Sequence, residues 1–218
     1  MTGLHQDQPL ATDGTPLEEA EAALVLLHGR GATARSILGM GREVHREGLA
    51  LLAPQAARNT WYPESFLAPG ERNEPGRSSG LQAIANAVSR ANEAGIPTER
   101  VMLLGFSQGA CLASEFVARN PRRYGGLAVL SGGLIGDSVE AADYTSGNEG
   151  DLGGTPVFLG CSDVDPHIPA ERVHETAAVL EELGGDVTTR IYEGMGHGVN
   201  EDELAEVAAM VEGLLEGT

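Results

Sequence analysis

Short, wholly apolar stretches recur along the chain and predict strands that are buried on both faces of a sheet. Five such stretches cover residues 24–27, 49–53, 101–106, 127–130 and 157–159. A further strand is predicted at residues 187–192. Apolar positions recur at helical spacing in residues 81–93, 108–119, 170–183 and 201–215. Alternating strands and helices predict the α/β class, with a mostly parallel sheet that helices cover on both faces.

The segments outside these elements predict loops and edges. Residues 132–154 are rich in glycine and acidic residues, which is typical of a loop. The polar residues 1–21 predict an edge hairpin or a loose lead, that is, an N-terminal segment without regular structure. No linker or internal repeat is visible, and 218 residues suit one hydrophobic core. We therefore expect a single domain over residues 1–218.

The chain is strongly acidic, with 32 aspartate and glutamate residues against 14 arginines and a formal charge of −18. It contains no lysine. This combination resembles proteins of salt-loving microbes, where molar salt, with a Debye length of about 3 Å, screens the self-repulsion of an acidic surface. An ordinary acidic mesophilic protein is the alternative. In either case the charge argues against nucleic acid as a partner.

No feature of the sequence indicates a membrane or a secretory route. The apolar runs are strand-length, far short of the roughly 20 residues that a membrane helix needs. Residues 1–15 lack the basic and apolar regions of a signal peptide. We expect a cytoplasmic protein that does not bind membranes. Cys111 and Cys161 lack zinc-ligand spacing, so both are predicted to be reduced core residues.

The segment Gly105-Phe106-Ser107-Gln108-Gly109 has the pattern G-x-S-x-G between a predicted strand and a predicted helix. Glycines at both ends leave room for a sharp turn that lifts the serine hydroxyl above the sheet edge. The N-terminus of the helix then directs N–H groups toward that hydroxyl. Ser107 is therefore a candidate nucleophile. The alternative is a serine that only caps the helix.

A serine nucleophile needs a base, and the base needs an acid that orients it. Candidates for both follow later strands, in the segments GCSDVDPHIP and EGMGHGVN. Ser107, Asp165 and His197 then have the chain order Ser, Asp, His that α/β-hydrolase triads share. We favour Asp165 over Asp163 as the acid because Pro166 sets a turn directly after it. Asp163 is expected to hold the loop through the backbone.

The acid loop also permits a metal interpretation. Asp163, Asp165 and His167 alternate along the chain, and such side chains could ligate a cation. No second histidine lies nearby in the sequence, and the triad uses the same loop. We therefore expect neither a metal nor another cofactor.

A tetrahedral intermediate needs N–H donors for its oxyanion. The N–H of Gln108, directly after the nucleophile, is one candidate. The N–H of Arg30 in the turn LLHGRGATARS is the second, because Gly29 and Gly31 let the backbone curl toward the serine. The rival interpretation is a dinucleotide fingerprint, Gly29-x-Gly31-x-x-Ala34, but no ribose-binding acid ends the next strand.

Four segments together resemble the phospholipase/carboxylesterase family of α/β-hydrolases, relatives of the acyl-protein thioesterases: LLHGRGA, GFSQG, SDVDPHIP and GMGHGVNEDE. The resemblance covers nearly the whole chain from about residue 22 onward. It implies Ser107, Asp165 and His197 as the triad. It also implies oxyanion donors at Arg30 and Gln108, an α/β-hydrolase fold without a large lid, and a homodimer. The arginine in the first motif and the segment WYPESFLAP are closer to a prokaryotic carboxylesterase subgroup.

Several aromatic residues follow the second predicted strand. Trp61, Tyr62 and Phe66 either wall an acyl or aryl site there or merely anchor a long surface loop. Ile168 is similarly placed after the acid loop. Trp61, Phe66 and Ile168 are therefore the candidate substrate contacts.

Most of the remaining histidines are expected to have no catalytic role. His28 is predicted to order the turn at Gly29. His5, His45 and His174 are predicted to be solvated surface residues.

These observations predict a carboxylesterase that acts on small or medium soluble esters, with a small-molecule ester as its only expected partner besides a second copy. A thioesterase or a dienelactone-type hydrolase would share the fold. A non-enzymatic binding protein on this scaffold would be expected to lose triad members, and none is missing.

Overall fold

The computed structural model describes residues 3–145 and 150–217. Its strands are β1 (Leu10–Gly14), β2 (Ala22–Leu27), β3 (Leu49–Pro54), β4 (Val101–Phe106), β5 (Gly126–Leu130), β6 (Pro156–Ser162) and β7 (Asp186–Tyr192). Its α-helices are α1 (Ala34–Val44), α2 (Gly76–Glu93), α3 (Gln108–Arg119), α4 (Ala142–Thr145), α5 (Ala170–Glu182) and α6 (Glu201–Glu216).

The seven strands form one sheet in the order β1-β3-β2-β4-β5-β6-β7. β1 pairs antiparallel with β3 at one edge, and every other neighbouring pair is parallel. The predicted α/β class and mostly parallel sheet are confirmed. Exposed and half-buried residues alternate along β1, as expected for an edge strand with one face toward solvent.

Two hydrophobic layers lie on opposite faces of the sheet. Along β2, Ala23, Val25 and Leu27 face the layer built with α2, α3 and α5. The alternate residues Ala22, Leu24 and Leu26 face the layer built with α1 and α6. All six are completely buried, because successive side chains of a strand point to opposite faces and both faces are covered.

Helix α2 begins at Gly76, five residues before the start predicted at residue 81. The added turn, Gly-Arg-Ser-Ser-Gly, has little apolar periodicity, so its sequence hides the helix. Tertiary contacts explain its position: a β-carbon at Gly80 would crowd Leu112, and one at Gly76 would crowd the Trp61 carbonyl oxygen. Close packing against α3 and a neighbouring loop thus decides where α2 starts.

The topology gathers three loops at one end of the sheet. The carboxyl ends of β4, β6 and β7 lead to Ser107, to the acid loop and to the loop of His197. Because β4 to β7 are parallel, these loops lie at the same edge of the sheet, with only β5 between β4 and β6.

The predicted loop at 132–154 contains the short helix α4, and its residues 146–149 lie outside the described residues. In residues 3–145 and 150–217 there is no inserted lid domain. Within the same residues, none of the helices is long and apolar enough to cross a membrane.

Candidate active site

Ser107 occupies a strained turn between β4 and α3. Its φ of 55° lies in the left-handed region that non-glycine residues rarely adopt. A β-carbon on Gly105 would overlap the backbone of Gly109, and one on Gly109 would overlap the Leu27 carbonyl. The Ser107 N–H donates to Leu130 O at 2.9 Å, which ties the turn to β5. Both glycines of the motif are therefore required by close backbone contacts.

A chain of hydrogen bonds connects the serine to the histidine and the aspartate. Ser107 Oγ lies 3.0 Å from His197 Nε2, and His197 Nδ1 lies 2.7 Å from Asp165 Oδ2. The Phe106 ring packs against the imidazole, with ring centroids 5.1 Å apart. The three side chains are thus arranged so that a proton can pass from the serine to the histidine while the carboxylate orients the ring.

Asp165, rather than Asp163, contacts the histidine. Its second carboxylate oxygen accepts the N–H groups of His167 and Ile168 at 2.8 and 3.1 Å. Burial raises the pKa of Asp165, but the hydrogen bond from His197 and the two backbone donors outweigh it and hold that pKa below its ordinary value. Asp163 instead accepts the Gly194 N–H at 2.7 Å and so braces the histidine loop.

Two hydroxyl groups further fix the loop that carries His197. Ser162 Oγ accepts the Gly196 N–H at 3.0 Å, and Ser131 Oγ donates to Gly198 O at 3.2 Å. Gly196 has a φ of 77°, so the turn before the histidine needs a glycine there. The loop of His197 is consequently held on both sides, by the residue that directly follows β5 and by the last residue of β6.

The turn after β2 passes over the serine. A β-carbon on Gly29 would contact Ser107 Cβ at 3.5 Å, and Gly31 has a φ of 78°. Among the described residues, the N–H groups of Arg30 and Gln108 donate to no other group. Both are thus available beside Ser107, as donors for an oxyanion must be.

A cavity of about 520 Å³ opens at the serine. Its apolar wall includes Tyr62, Phe66 and Ile168, and its polar lining includes Arg30, Glu64 and His167. Ser107 and His197 also line it. A cavity of this size, lined by both apolar and polar side chains, can hold a small molecule.

A sequence model described as phospholipase/carboxylesterase matches residues 14–215. The chain belongs to this family. A phospholipase/carboxylesterase structure from Dyadobacter fermentans is similar, with 37% identity, a TM-score of 0.89 and coverage of 97% of this chain and 100% of that one. The carboxylesterase of Bacillus cereus shares the fold, at 17% identity with a TM-score of 0.75 over 96% of this chain and 95% of that one.

Curated relatives match a shorter region. The acyl-protein thioesterase 1 of Candida albicans is 32% identical over 126 residues, which are 57% of this chain and 54% of that protein. The enzyme of the same name from Gibberella zeae is 34% identical over 58% of this chain and 53% of its own. The match thus spans about half the length of these relatives.

Trp61 does not line the cavity, so its prediction as a substrate contact is corrected. Its side chain is completely buried, and Nε1 donates to His28 O at 2.9 Å. The interpretation of Trp61 as an anchor therefore holds, because the hydrogen bond turns its ring toward the core beneath the turn. Phe66 and Ile168 do line the cavity.

The side chain of Gln108 has a role that the sequence did not reveal. Its Oε1 accepts the Trp61 N–H at 2.9 Å, and its Nε2 donates to Tyr62 O at 2.8 Å. One residue thus offers a main-chain N–H beside Ser107 and holds the loop that walls the cavity. No local sequence pattern indicates this role of the Gln108 side chain, because its hydrogen-bond partners lie 46 and 47 positions away.

The structure also corrects the prediction that His5 is solvated, because only 2% of its surface is exposed. His28 orders the turn as predicted: its Nδ1–H donates to Gly29 O at 2.8 Å, and Nε2 accepts the Ala56 N–H at 3.1 Å. Burial lowers the pKa of His28. Both histidines are therefore structural members of the interior.

His167 also belongs to the site, although it is not among the predicted triad, oxyanion or substrate-contact residues. Its ring lies edge-on to His197, with centroids 4.9 Å apart, and it lines the cavity. No group of three or more potential metal ligands occurs in the described part of the chain. His167 is thus placed to touch a substrate.

Proposed function

We propose that this protein hydrolyses carboxylic esters with Ser107 as the nucleophile, His197 as the base and Asp165 as the orienting acid. The observation that carries the proposal is the hydrogen-bonded chain of these three side chains, at 3.0 and 2.7 Å, which opens on a cavity beside two backbone N–H groups that donate to no group in residues 3–145 and 150–217. Membership of a family of esterases supports it.

The reaction follows from the positions of these groups. Ser107 Oγ attacks the ester carbonyl while its proton moves to His197 Nε2, and Asp165 holds the imidazolium that results. The N–H groups of Arg30 and Gln108 stabilise the oxyanion. When the intermediate collapses, the carbon–oxygen bond of the ester breaks and His197 protonates the departing alcohol. Water then attacks the acyl-enzyme, gives a proton to His197, and releases the acid as Ser107 recovers its proton.

The cavity supports small and medium acyl groups as substrates. Tyr62, Phe66 and Ile168 offer an apolar surface to an acyl chain, while the volume of about 520 Å³ lies within the range of small-ligand sites. We expect a soluble ester of this size to bind with its acyl chain against these residues.

A thioesterase is the second candidate, favoured by the acyl-protein thioesterases among the curated relatives. The same serine chemistry would cleave a thioester, because the thiolate leaves more readily than an alkoxide. Comparing p-nitrophenyl esters with acyl-thiocholines of equal chain length separates the two activities. A dienelactone-type hydrolase is tested in the same panel with a cyclic enol lactone.

The proposal is tested with p-nitrophenyl esters of two to eight acyl carbons and a fluorophosphonate label. Wild type and the matched control Ser89→Ala, an exposed position on α2, are expected to turn over short esters and take the label at Ser107. Ser107→Ala is expected to lose both. A folded wild type that neither hydrolyses nor takes the label contradicts the proposal.

We further propose a cytoplasmic location and a homodimer. Sedimentation of the purified protein at several concentrations tests the dimer, and a single species of about 22.7 kDa would contradict it.

A further inference from the structure

The first described residues pack against the loop that walls the cavity. We call residues 3–8 the N-terminal segment and residues 57–66 the wall loop. The segment lies before residue 14, where the match to the family begins. It is tied to α2, because the His5 N–H donates to Ser79 Oγ at 2.8 Å and Gln6 Nε2 donates to Ser79 O at 2.9 Å. These bonds hold the His5 ring against the wall loop.

The His5 ring bridges two points of the wall loop. Its Nδ1 accepts the Ala57 N–H at 3.0 Å, and its Nε2–H donates to Trp61 O at 2.9 Å. A ring that accepts at one nitrogen and donates at the other is neutral, with the proton on Nε2. Burial lowers the pKa of His5, in keeping with a neutral ring. The ring also packs edge-on against Trp61, with centroids 5.3 Å apart.

Trp61 connects this bridge to the proposed reaction site. Its backbone N–H donates to Gln108 Oε1, and its indole N–H donates to His28 O, two positions before the proposed donor Arg30. The wall loop is thus held by His5 on its outer side and by Gln108 on its inner side. Tyr62 follows Trp61 directly and Phe66 lies further along the same loop; both line the cavity.

We propose that His5 is a positioning residue that holds the wall loop, and with it the acyl-binding face of the cavity, in place. His5 touches no reacting atom, and the proposal rests on the ester hydrolysis proposed above. Its effect should depend on the acyl group, because a hexanoyl chain contacts Tyr62 and Phe66 more extensively than an acetyl group does.

The experiment compares His5→Ala with the matched control Leu4→Ala, whose side chain is 54% exposed. In His5→Ala we expect KM for p-nitrophenyl hexanoate to rise about tenfold, equivalent to roughly the 1.4 kcal/mol of one hydrogen bond. We expect kcat for p-nitrophenyl acetate to change by less than about twofold. His5→Asn should recover most of the loss, because its amide oxygen can accept the Ala57 N–H. Leu4→Ala should match wild type.

Fluorescence gives a readout that does not depend on activity. Trp61 is the only tryptophan of the chain, so its emission reports on the wall loop alone. Emission should shift to longer wavelength in His5→Ala and stay unchanged in Leu4→Ala. If His5→Ala does not fold, Ser79→Ala replaces it, because this change removes the hydroxyl that binds the His5 N–H and Gln6 Oε1, loosens the N-terminal segment and leaves the His5 ring intact.

The two proposals fail in different ways. A wild type that takes no fluorophosphonate label and cleaves neither ester contradicts ester hydrolysis. A labelled His5→Ala with an unchanged KM for hexanoate, or with equal losses on both esters, overturns the role of His5.

Discussion

The serine turn and the wall loop lie on either side of Gln108, yet they are held in different ways. At the serine turn, close backbone contacts leave no room for side chains: a β-carbon on Gly105 would overlap Gly109 within the same five-residue pattern, and one on Gly109 would overlap the Leu27 carbonyl. The wall loop is held by the side chains of His5 and Gln108 and by the main-chain oxygen of His28, all distant from it in sequence. The turn at Ser107 can thus be recognised from a short local pattern, whereas the shape of the cavity depends on hydrogen bonds between residues far apart in sequence.

The largest expected effect is a loss of activity on substitution of Asp165, one of the two aspartates that follow β6. Asp165→Asn should lower kcat/KM on the order of 10³- to 10⁴-fold, because the amide favours the wrong histidine tautomer. Asp163→Asn keeps an oxygen that can accept the Gly194 N–H, so we expect less than about a threefold loss. Steady-state kinetics of both variants measures this, and equal losses would show that loop bracing, rather than contact with His197, is what matters.

A second prediction sharpens the claim that the serine turn is held by backbone contact. Gly105→Ala should lower the free energy of unfolding by about 3 kcal/mol, because the new methyl group would overlap Gly109 and neither backbone can move freely. Gly39→Ala, in open space on α1, is the control and should be neutral or stabilising by up to about 1 kcal/mol. Urea unfolding compares them, and a Gly105→Ala as stable as wild type contradicts the crowding.

Two buried titratable groups, Glu203 and His28, are expected to change the stability of the protein with pH in opposite directions. In the first turn of α6, Glu203 is completely buried against Gly160, and its Oε1 has no hydrogen-bond partner among the described residues. Burial raises the pKa of Glu203 to about 7. The folded state therefore binds more protons than the unfolded state between about pH 4.3 and 7, and this group makes the protein less stable as pH rises through that range.

Glu203→Gln should thus stabilise the protein by about 1–2 kcal/mol at pH 8 and far less at pH 5. The amide oxygen can still accept the Asn200 N–H of the helix cap. Urea unfolding at both pH values gives the difference. A gain that does not change with pH would contradict a buried, titrating carboxyl.

At His28, beneath the wall loop, the dependence of stability on pH has the opposite sign. Burial lowers the pKa of His28, so the unfolded state binds more protons once pH falls through the ordinary histidine value of about 6.5. We expect the stability contribution of His28 to be lost as pH drops from about 7 toward 5. In His28→Asn, which can still accept the Ala56 N–H, the free energy of unfolding should depend less steeply on pH over this interval. An unchanged slope would contradict the assignment.

The smallest expected effect is that of salt on thermal stability, which depends on the acidic surface as a whole. With a formal charge of −18, the folded protein repels itself, and salt screens this repulsion. Raising KCl from 0.1 to 2 M should increase Tm by at least about 3 °C, equivalent to about 1 kcal/mol for a chain of this size. The preference among acyl lengths should stay the same, and a flat Tm would rule out the salt-adapted interpretation.

The sequence predicts features that depend on neighbouring residues better than contacts between residues that are far apart in the chain. Ser107, Asp165 and His197 were predicted together, and the structure brings them within hydrogen-bond distance, because each follows a strand whose apolar run is unmistakable. Trp61 was assigned to the cavity and His5 to the surface, since an aromatic residue in a loop and a histidine near a terminus carry no local sign of their partners.

The sequence by itself determined the α/β alternation, the sharp turn at Ser107 and the chain order of the candidate triad. These features depend on hydrophobic periodicity, on glycine and on spacing, which are properties of neighbouring residues. Only the tertiary structure decided which aromatic residues face the cavity and which side chains hold the wall loop. Those choices depend on burial and on hydrogen bonds between residues far apart in the chain, which exist only once the sheet and its helices have assembled.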